Sequence, residues 1–431
     1  MITWLSIDIW LISLLSLAYL SALFLVAYWG QKQSAEFWRN NAWIYSLGIA
    51  VSCTSWAFYG IVGQAAVTGE WLAHIYIGTM ACFILAWPML LKMVRISKQQ
   101  NITSIADFIA SRYDRAPNIA ALVTIIALLG TIPYIALQLR AISQSFDLVT
   151  SSYRSGINTT VVVTIVLAIF GVLFGARHVM ATKQNQGLMF AIAFSSVIKL
   201  LAISAIGIFV TFVAFDGFGD LVQQHQNTVS QSVAQTSVYL SIAQIALGFV
   251  TIFITPQLFH IIVIENNTES QLRKARWLYP AYLVLINIFV LPIAMAGQIT
   301  FPGGSVNADT YILTLPLSMQ QEWLSIFVYI GGLAAATGMV VVAAIVLSTM
   351  FTTEILSPLL IRSHRSSKKA AKQFSGLLLN ARRVSIVVMM LLALIFERLV
   401  SQQSHLSSIG VLSLVLLAQF APAVIGAMYW R

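Results

Sequence analysis

Apolar residues run in blocks of about twenty, and the short segments between blocks hold nearly every Lys and Arg. A helix needs about 20 apolar residues to cross the hydrocarbon of a bilayer, so the pattern predicts membrane spans. Eleven can be drawn: Ile7–Tyr28, Trp43–Val62, Trp71–Val94, Ile119–Leu139, Thr159–Gly175, Gly187–Val213, Val238–Leu258, Leu278–Ile299, Trp323–Phe351, Val384–Leu399 and Ile409–Trp430. The first has no basic stretch before it and is too long for a signal-peptide core, so it reads as a retained anchor. Without it, ten spans remain. Ten divides into five plus five, and an odd number of spans per repeat forces the second repeat to be inverted. The expected layout is an extra helix and loop at 1–40, one five-helix repeat at 41–215 and its inverted partner at 236–431.

Composition agrees. Of 431 residues, 59% are hydrophobic and 9% charged, with mean hydropathy +0.85; a soluble domain carries roughly 25% charged residues. The net charge of +10 could suggest a nucleic-acid partner, but the distribution of the basic residues argues otherwise. Twenty of the 24 Lys and Arg fall in alternate loops, three (Arg140, Arg154 and Arg398) in the opposite ones, and Lys199 in neither. By the positive-inside rule this places the N-terminus in the periplasm and the C-terminus in the cytoplasm of a bacterial inner membrane. Cys53 and Cys82 lie in apolar stretches and suggest neither a disulfide framework nor a metal site. No nucleotide-binding glycine motif occurs, so neither an enzyme nor a cofactor is expected.

In five-plus-five folds the first helix of each repeat is interrupted near the midplane, and the solute lies there. The first core helix carries Ser52-Cys53-Thr54-Ser55 at its centre, flanked by Gly48, Gly60 and Gly63. Small hydroxyl residues compete for backbone hydrogen bonds and loosen a helix. In the sixth core helix Gly248 or Pro256 can break the run. Gly and Pro are also common in membrane helices in general, so it is the paired position of the two interruptions that suggests a site. Trp56 and Tyr59 follow the first break. Tyr134 and Gln138 lie four apart on the third core helix, hence on one face, and Gln244 and Gln257 lie on the sixth. These residues, with Ser52, Thr54 and Ser55, form the candidate solute site; ordinary packing is the competing account of each aromatic. A zwitterionic amino acid would suit them, its charged ends at the helix breaks and its side chain among aromatic and amide groups.

Several stretches resemble known proteins. "VSCTSWAFYGIVGQAAVTG" and "ITSIADFIASRYDR" resemble the core of sodium/solute symporters. "PYIALQLRAISQSF" from Pro133, "TPQLFHIIVIENNTESQLRKARWLYPAYLVLINIFVLPIAMAG" from Thr255 to Gly297, "GGLAAATGMVVVAAIVLSTM" and "LAQFAPAVIGAMYWR" resemble the transporter-like N-terminal module of CbrA-type bacterial sensor histidine kinases. The resemblance implies an all-α, LeuT-like fold and a histidine-like amino acid as solute. It also implies a tie to a two-component system, in which Glu265, Asn266 and Asn267 could report the transporter's state to the cytoplasm. No autophosphorylation histidine box or ATP-binding motif is present, so any kinase activity would lie beyond Arg431. His260, a lone histidine at a membrane edge, is read as structural.

In sodium-coupled relatives an ion sits between the first and eighth core helices, held by carbonyls at the first break, hydroxyls on the eighth helix and, in proline symporters, a nearby aspartate. Here the aspartate place corresponds to Ser52, and the hydroxyl pair to Thr337 and Gly338, which leaves at most one hydroxyl. Lys199, on the fifth core helix, stands where some proton-coupled transporters of this fold carry a lysine in place of sodium. The resemblance therefore implies Ala50, Cys53, Lys199, Thr337 and Gly338 as the coupling site, with H+ rather than Na+. Burial disfavours the charged form of an amine, which would bring proton exchange within physiological reach. The alternative is a lysine that pairs with a backbone carbonyl or polar neighbour to lock helices. Three functions stand open: a solute-moving and sensing module of a kinase system, an independent symporter, and a receptor that binds without transport.

Overall fold

The computed structural model describes residues 5–150, 158–175, 186–229, 236–359, 368–400 and 406–430. The loop charges Arg154, Arg177, Lys183, Arg362, Arg365 and Arg431 lie outside them. Among the described residues every regular element is helical. Helix α1 (Ile9–Gln31) opens the chain, its N-terminus capped by the Asp8 carboxylate. The first core span is split into α2 (Ala42–Ile49) and α3 (Ile61–Thr68), the second into α4 (His74–Leu85) and α5 (Trp87–Gln100). Then come α6 (Pro117–Thr150), α7 (Thr159–Gly175) and α8 (Gln186–Phe209). The second half holds α9 (Val238–Ile254), α10 (Pro256–Phe259), α11 (Glu269–Asn287), α12 (Val290–Thr300), α13 (Glu322–Met350), α14 (Lys368–Val400), α15 (Leu406–Ala418) and α16 (Ala421–Tyr429).

Among the described residues seven stretches are long and apolar enough to cross a membrane singly, and three bent pairs raise the number to ten. The eleventh predicted span, α7, is apolar but only 17 residues long, about 26 Å at 1.5 Å per residue. Its partners are other helices: Phe170 and Phe174 are buried, and both rings stack on Phe24 of α1. Three predicted boundaries move. Helix α6 runs to Thr150 rather than Leu139, α11 starts at Glu269 rather than Leu278, and α14 starts at Lys368 rather than Val384. In each case a polar helical extension leaves the apolar block, and hydropathy cannot see it.

The two expected interruptions are present, bent by 77° between Ala42–Ser52 and Trp56–Thr68 and by 51° between Val238–Ile254 and Pro256–Ile264. The second falls at Thr255–Pro256. Thr255 is extended (φ −77, ψ 121) and Pro256 opens the next helix, because a proline pushes its predecessor out of the helical region and supplies no N–H. Gly248, the other candidate breaker, sits inside the continuous α9. A Cβ there would collide with the Ile75 carbonyl of α4, as one at Gly78 would with the Ile245 carbonyl of α9. These two glycines let the two backbones touch, and Thr79 Oγ1 bonds the Gly248 carbonyl at 3.2 Å across the contact. A third bend, 69° between α4 and α5, was not foreseen; Pro88, at the start of α5, accounts for it.

Candidate functional site

At the first break the chain leaves α2 through a short 3-10 turn, Ala50–Ser52, and Cys53 takes a non-helical conformation (φ −78, ψ 85). Carbonyls that a continuous helix would have satisfied are left facing α8. Lys199, 2% exposed, reaches them from α8: its ammonium donates to the Ala50 carbonyl at 2.6 Å and the Cys53 carbonyl at 2.7 Å. The Ala50 carbonyl also accepts the Cys53 N–H at 3.0 Å. One turn away Ser196 Oγ donates to the Leu47 carbonyl at 2.9 Å, and Tyr282 Oη of α11 donates to the Ser196 carbonyl at 2.8 Å. The broken end of α2 is therefore stitched to α8 by one charged group and one hydroxyl.

Sequence reasoning assigned Ala50, Cys53 and Lys199 to one site, and the structure places them together. Thr337 is not part of that cluster. Its hydroxyl donates to Leu333 at 2.8 Å and lies 3.5 Å from the Tyr19 hydroxyl of α1. A Cβ at Gly338 would meet Ser195 Oγ at 3.6 Å, so the missing side chain would have faced α8 one turn from Lys199. Ser52 bonds Tyr279 Oη of α11 at 2.6 Å. No carboxylate joins the described cluster, and no group of metal-ligating side chains occurs among the described residues.

Beside the break lies a cavity of about 50 Å³. It is lined by Ser52 and Trp56 of the first broken span, Tyr76 and Thr79 of α4, Thr131 and Tyr134 of α6, Thr255 and Gln257 at the second break, Tyr279 of α11 and Met339 of α13, with apolar neighbours and with Thr251 of α9 and Ser413 of α15, whose hydroxyls donate to the Leu247 and Gly130 carbonyls. The cavity therefore touches both interruptions. Its polar lining divides in two. Ser52 and Tyr279 bond each other, Thr79 and Thr255 bond helix carbonyls, and Tyr134 Oη meets Thr54 Oγ1 at 3.3 Å. Trp56 Nε1, Tyr76 Oη, Thr131 Oγ1 and both polar atoms of the Gln257 carboxamide are buried without a protein partner. Buried polar groups are nearly always hydrogen-bonded, so five such atoms around one cavity mark it as a place where a ligand or water completes the bonding.

Of the other predicted solute residues, Gln138 is fully buried and caps the break: its Oε1 accepts the Ser55 N–H at 3.1 Å, and its Nε2 donates to the Tyr134 carbonyl at 3.2 Å. Gln138, Thr54 and Ser55 thus support the cavity from behind. Tyr59 points elsewhere, with Ala141, Ser145 and Asp309 in a separate small cavity. Gln244 is outside the cavity lining, about three turns before the break at Thr255. Tyr76 and Thr131 were missed. Thr131 sits three before Tyr134 on the same helix face, a spacing that could have revealed it, whereas nothing in the sequence marks Tyr76.

Of the polar patch beneath the second break, Glu265 and Asn266 are buried rather than presented, and Asn267 is half-buried. Glu265 is 2% exposed and Asn266 fully buried. His260 Nε2 lies 3.2 Å from Glu265, Lys98 donates to Asn266 at 2.8 Å, and Tyr45 Oη donates to the Ile262 carbonyl at 2.8 Å. Arg95 makes a two-pronged pair with Glu269 at 2.7 and 2.8 Å. The second break is therefore tied to α2 and α5 on the side that carries these basic residues, so the patch fastens helices together.

No family model matches the chain. Over 369 residues it is 22% identical to an uncharacterized symporter of Bacillus subtilis, YhjB, covering 80% of this chain and 70% of that protein. It superimposes on a Na+-coupled sialic acid symporter, solved in a substrate-bound outward-open state, with a TM-score of 0.72 at 15% identity, over 97% of this chain and 87% of the other. At that identity the likeness establishes architecture: the chain is a multi-pass membrane protein with the all-helical, LeuT-like fold of a symporter.

Proposed function

We propose that this protein is a membrane transporter of symporter type. In it the ammonium of Lys199 holds the place that a coupling cation holds in sodium-dependent relatives, and a small solute of the amino-acid class binds in the cavity between the two breaks. One observation carries this reading: Lys199 is buried at the first break with two carbonyl oxygens on its Nζ. A buried ammonium is costly unless its donors are used, and here the break supplies the oxygens. Those contacts also fit a purely structural lock, so titration must separate the two. Protonated Lys199 grips Ala50 and Cys53. Loss of the proton weakens the grip, because hydrogen bonds from a charged donor are about twice as strong as neutral ones. The interface between α2 and α8 then loosens, and the population moves toward another access state.

The same reading puts the N-terminus outside and the C-terminus in the cytoplasm. Association with a sensor histidine kinase rests on the resemblance alone; the similarity to the Bacillus symporter favours a stand-alone transporter as the second reading, and the DNA downstream of codon 431 distinguishes them. The test of the function is uptake of radiolabelled histidine, proline, glutamine and acetamide into proteoliposomes in sodium-free buffer, with and without an imposed proton gradient, uptake of any one of them counting. Gradient-driven uptake is expected. A strict sodium requirement refutes the lysine's role, and binding without uptake makes the protein a receptor.

A further inference from the structure

We infer that the central cavity selects a solute through an uncharged group that both donates and accepts hydrogen bonds, a primary carboxamide. The inference rests on the proposed location of the solute site and narrows what fills it. Among the described residues no Asp, Glu, Lys, Arg or His lines the cavity. The nearby cation of the first break, Lys199, already donates to Ala50 and Cys53, and Gln138 covers the Ser55 N–H, an amide that could otherwise face an anion. A carboxylate or ammonium entering this lining would leave water without a counter-charge, which is strongly unfavourable.

The unpartnered atoms instead match a carboxamide. Such a group offers two N–H donors and one oxygen with two lone pairs. Gln257, 1% exposed, presents both halves of its own carboxamide without a partner. Two carboxamides pair reciprocally, each donating one N–H to the other's oxygen. The solute oxygen then has one lone pair left for Trp56 Nε1, a donor only, and its second N–H can go to the hydroxyl of Tyr76 or Thr131. Four of the five orphaned atoms have a role in this scheme, the fifth being whichever of the two hydroxyls is left over, and none needs a charge. The cavity's about 50 Å³ is well below the roughly 150 Å³ that admits benzene, so the conformation seen here has room for the recognised group and not for a long side chain beside it.

The carboxamide could belong to a free small amide or to an amino-acid side chain, and the assay separates them. Binding of radiolabelled acetamide, glutamine, glutamate and lysine would be measured on the full chain in nanodiscs. At least one carboxamide is expected to bind tenfold or more tighter than glutamate and lysine; acetamide alone identifies a small amide, glutamine alone an amino acid. Gln257→Leu, and separately Thr131→Val as a milder change, should weaken that binding, by tenfold or more for Gln257→Leu, with the thermal midpoint retained. Glutamate binding as tight as glutamine, with both lost in Gln257→Leu, would keep the cavity as the site and overturn the carboxamide assignment. Carboxamide binding untouched by both substitutions would overturn the cavity itself. Retention of none of the four probes would overturn the carboxamide assignment, while proton-driven uptake still decides the transport reading.

Discussion

Replacing Lys199 by Met keeps most of the volume of the side chain and removes its charge and its donors. In the wild type Nζ makes two hydrogen bonds to the break, at 2.6 and 2.7 Å. Bonds to a charged group contribute about 1.5–3 kcal/mol each, so the pair contributes about 3–6 kcal/mol to docking α2 on α8 before the cost of burying the charge. Deprotonation halves such bonds, a change of about 1.5–3 kcal/mol, or roughly 10- to 150-fold in the docking equilibrium at about 1.4 kcal/mol per factor of ten. The charged form is the stronger binder, so a proton on Lys199 favours the docked arrangement over the undocked one, and the docked population falls as that proton is lost. Hydrogen exchange of the Ala42–Ile49 amides in the purified protein, corrected for the intrinsic pH dependence of exchange and followed from pH 5 to 9 in choline and in sodium chloride, reads this docking directly. Protection of these amides in the wild type should fall by roughly 10- to 150-fold toward high pH, and Lys199→Met should remove that slope. Sodium should have no effect, whereas a vacant sodium site filled to 100 times its Kd would add about 2.7 kcal/mol. A sodium-dependent rise in the wild type, or the same slope in Lys199→Met, would refute the reasoning and leave Lys199 a structural pin.

Gln138→Leu strips the cap from the buried Ser55 amide; an unsatisfied buried donor costs about 1–3 kcal/mol, so the thermal midpoint should fall and solute binding should weaken with it. Gly248→Ala drives a methyl group into the Ile75 carbonyl, and overpacking of this kind costs about 1–3 kcal/mol, readable as a lower midpoint; an unshifted midpoint would show that α4 and α9 part easily. A double-mutant cycle of Ser52→Ala and Tyr279→Phe should return a coupling of about 0.5–1.5 kcal/mol, since their hydroxyls meet at 2.6 Å; zero coupling would mean that the bond is not kept in the membrane. Reporter fusions at Lys98 and Phe218 should read cytoplasmic and periplasmic respectively, and the opposite pair of signals would invert the proposed orientation.

The sequence by itself determined that this is a multi-span helical membrane protein and that its first and sixth core helices are broken. Burying backbone in lipid demands long apolar helices, and the exceptions, the hydroxyl run at Ser52–Ser55 and Pro256, are written as local composition. Lys199 was legible for the same reason: one charge inside an apolar block has no bland local explanation. Which groups complete the site is a different matter. Ala50 and Cys53 contribute only carbonyl oxygens, and these reach Lys199 across about 150 residues of chain. Hydropathy could not tell that Gln138 is a cap, that Gln257 is unpaired, that Tyr59 and Gln244 face away, or that Tyr76 arrives from another helix. Nor could it tell that Gly248 brings two backbones together rather than breaking one. Helix periodicity fixes which face a residue lies on only relative to its own helix axis. How each helix is rotated toward its neighbours is set by close packing across the whole bundle, and that rotation decides whether a polar atom meets a carbonyl, a side chain or the cavity.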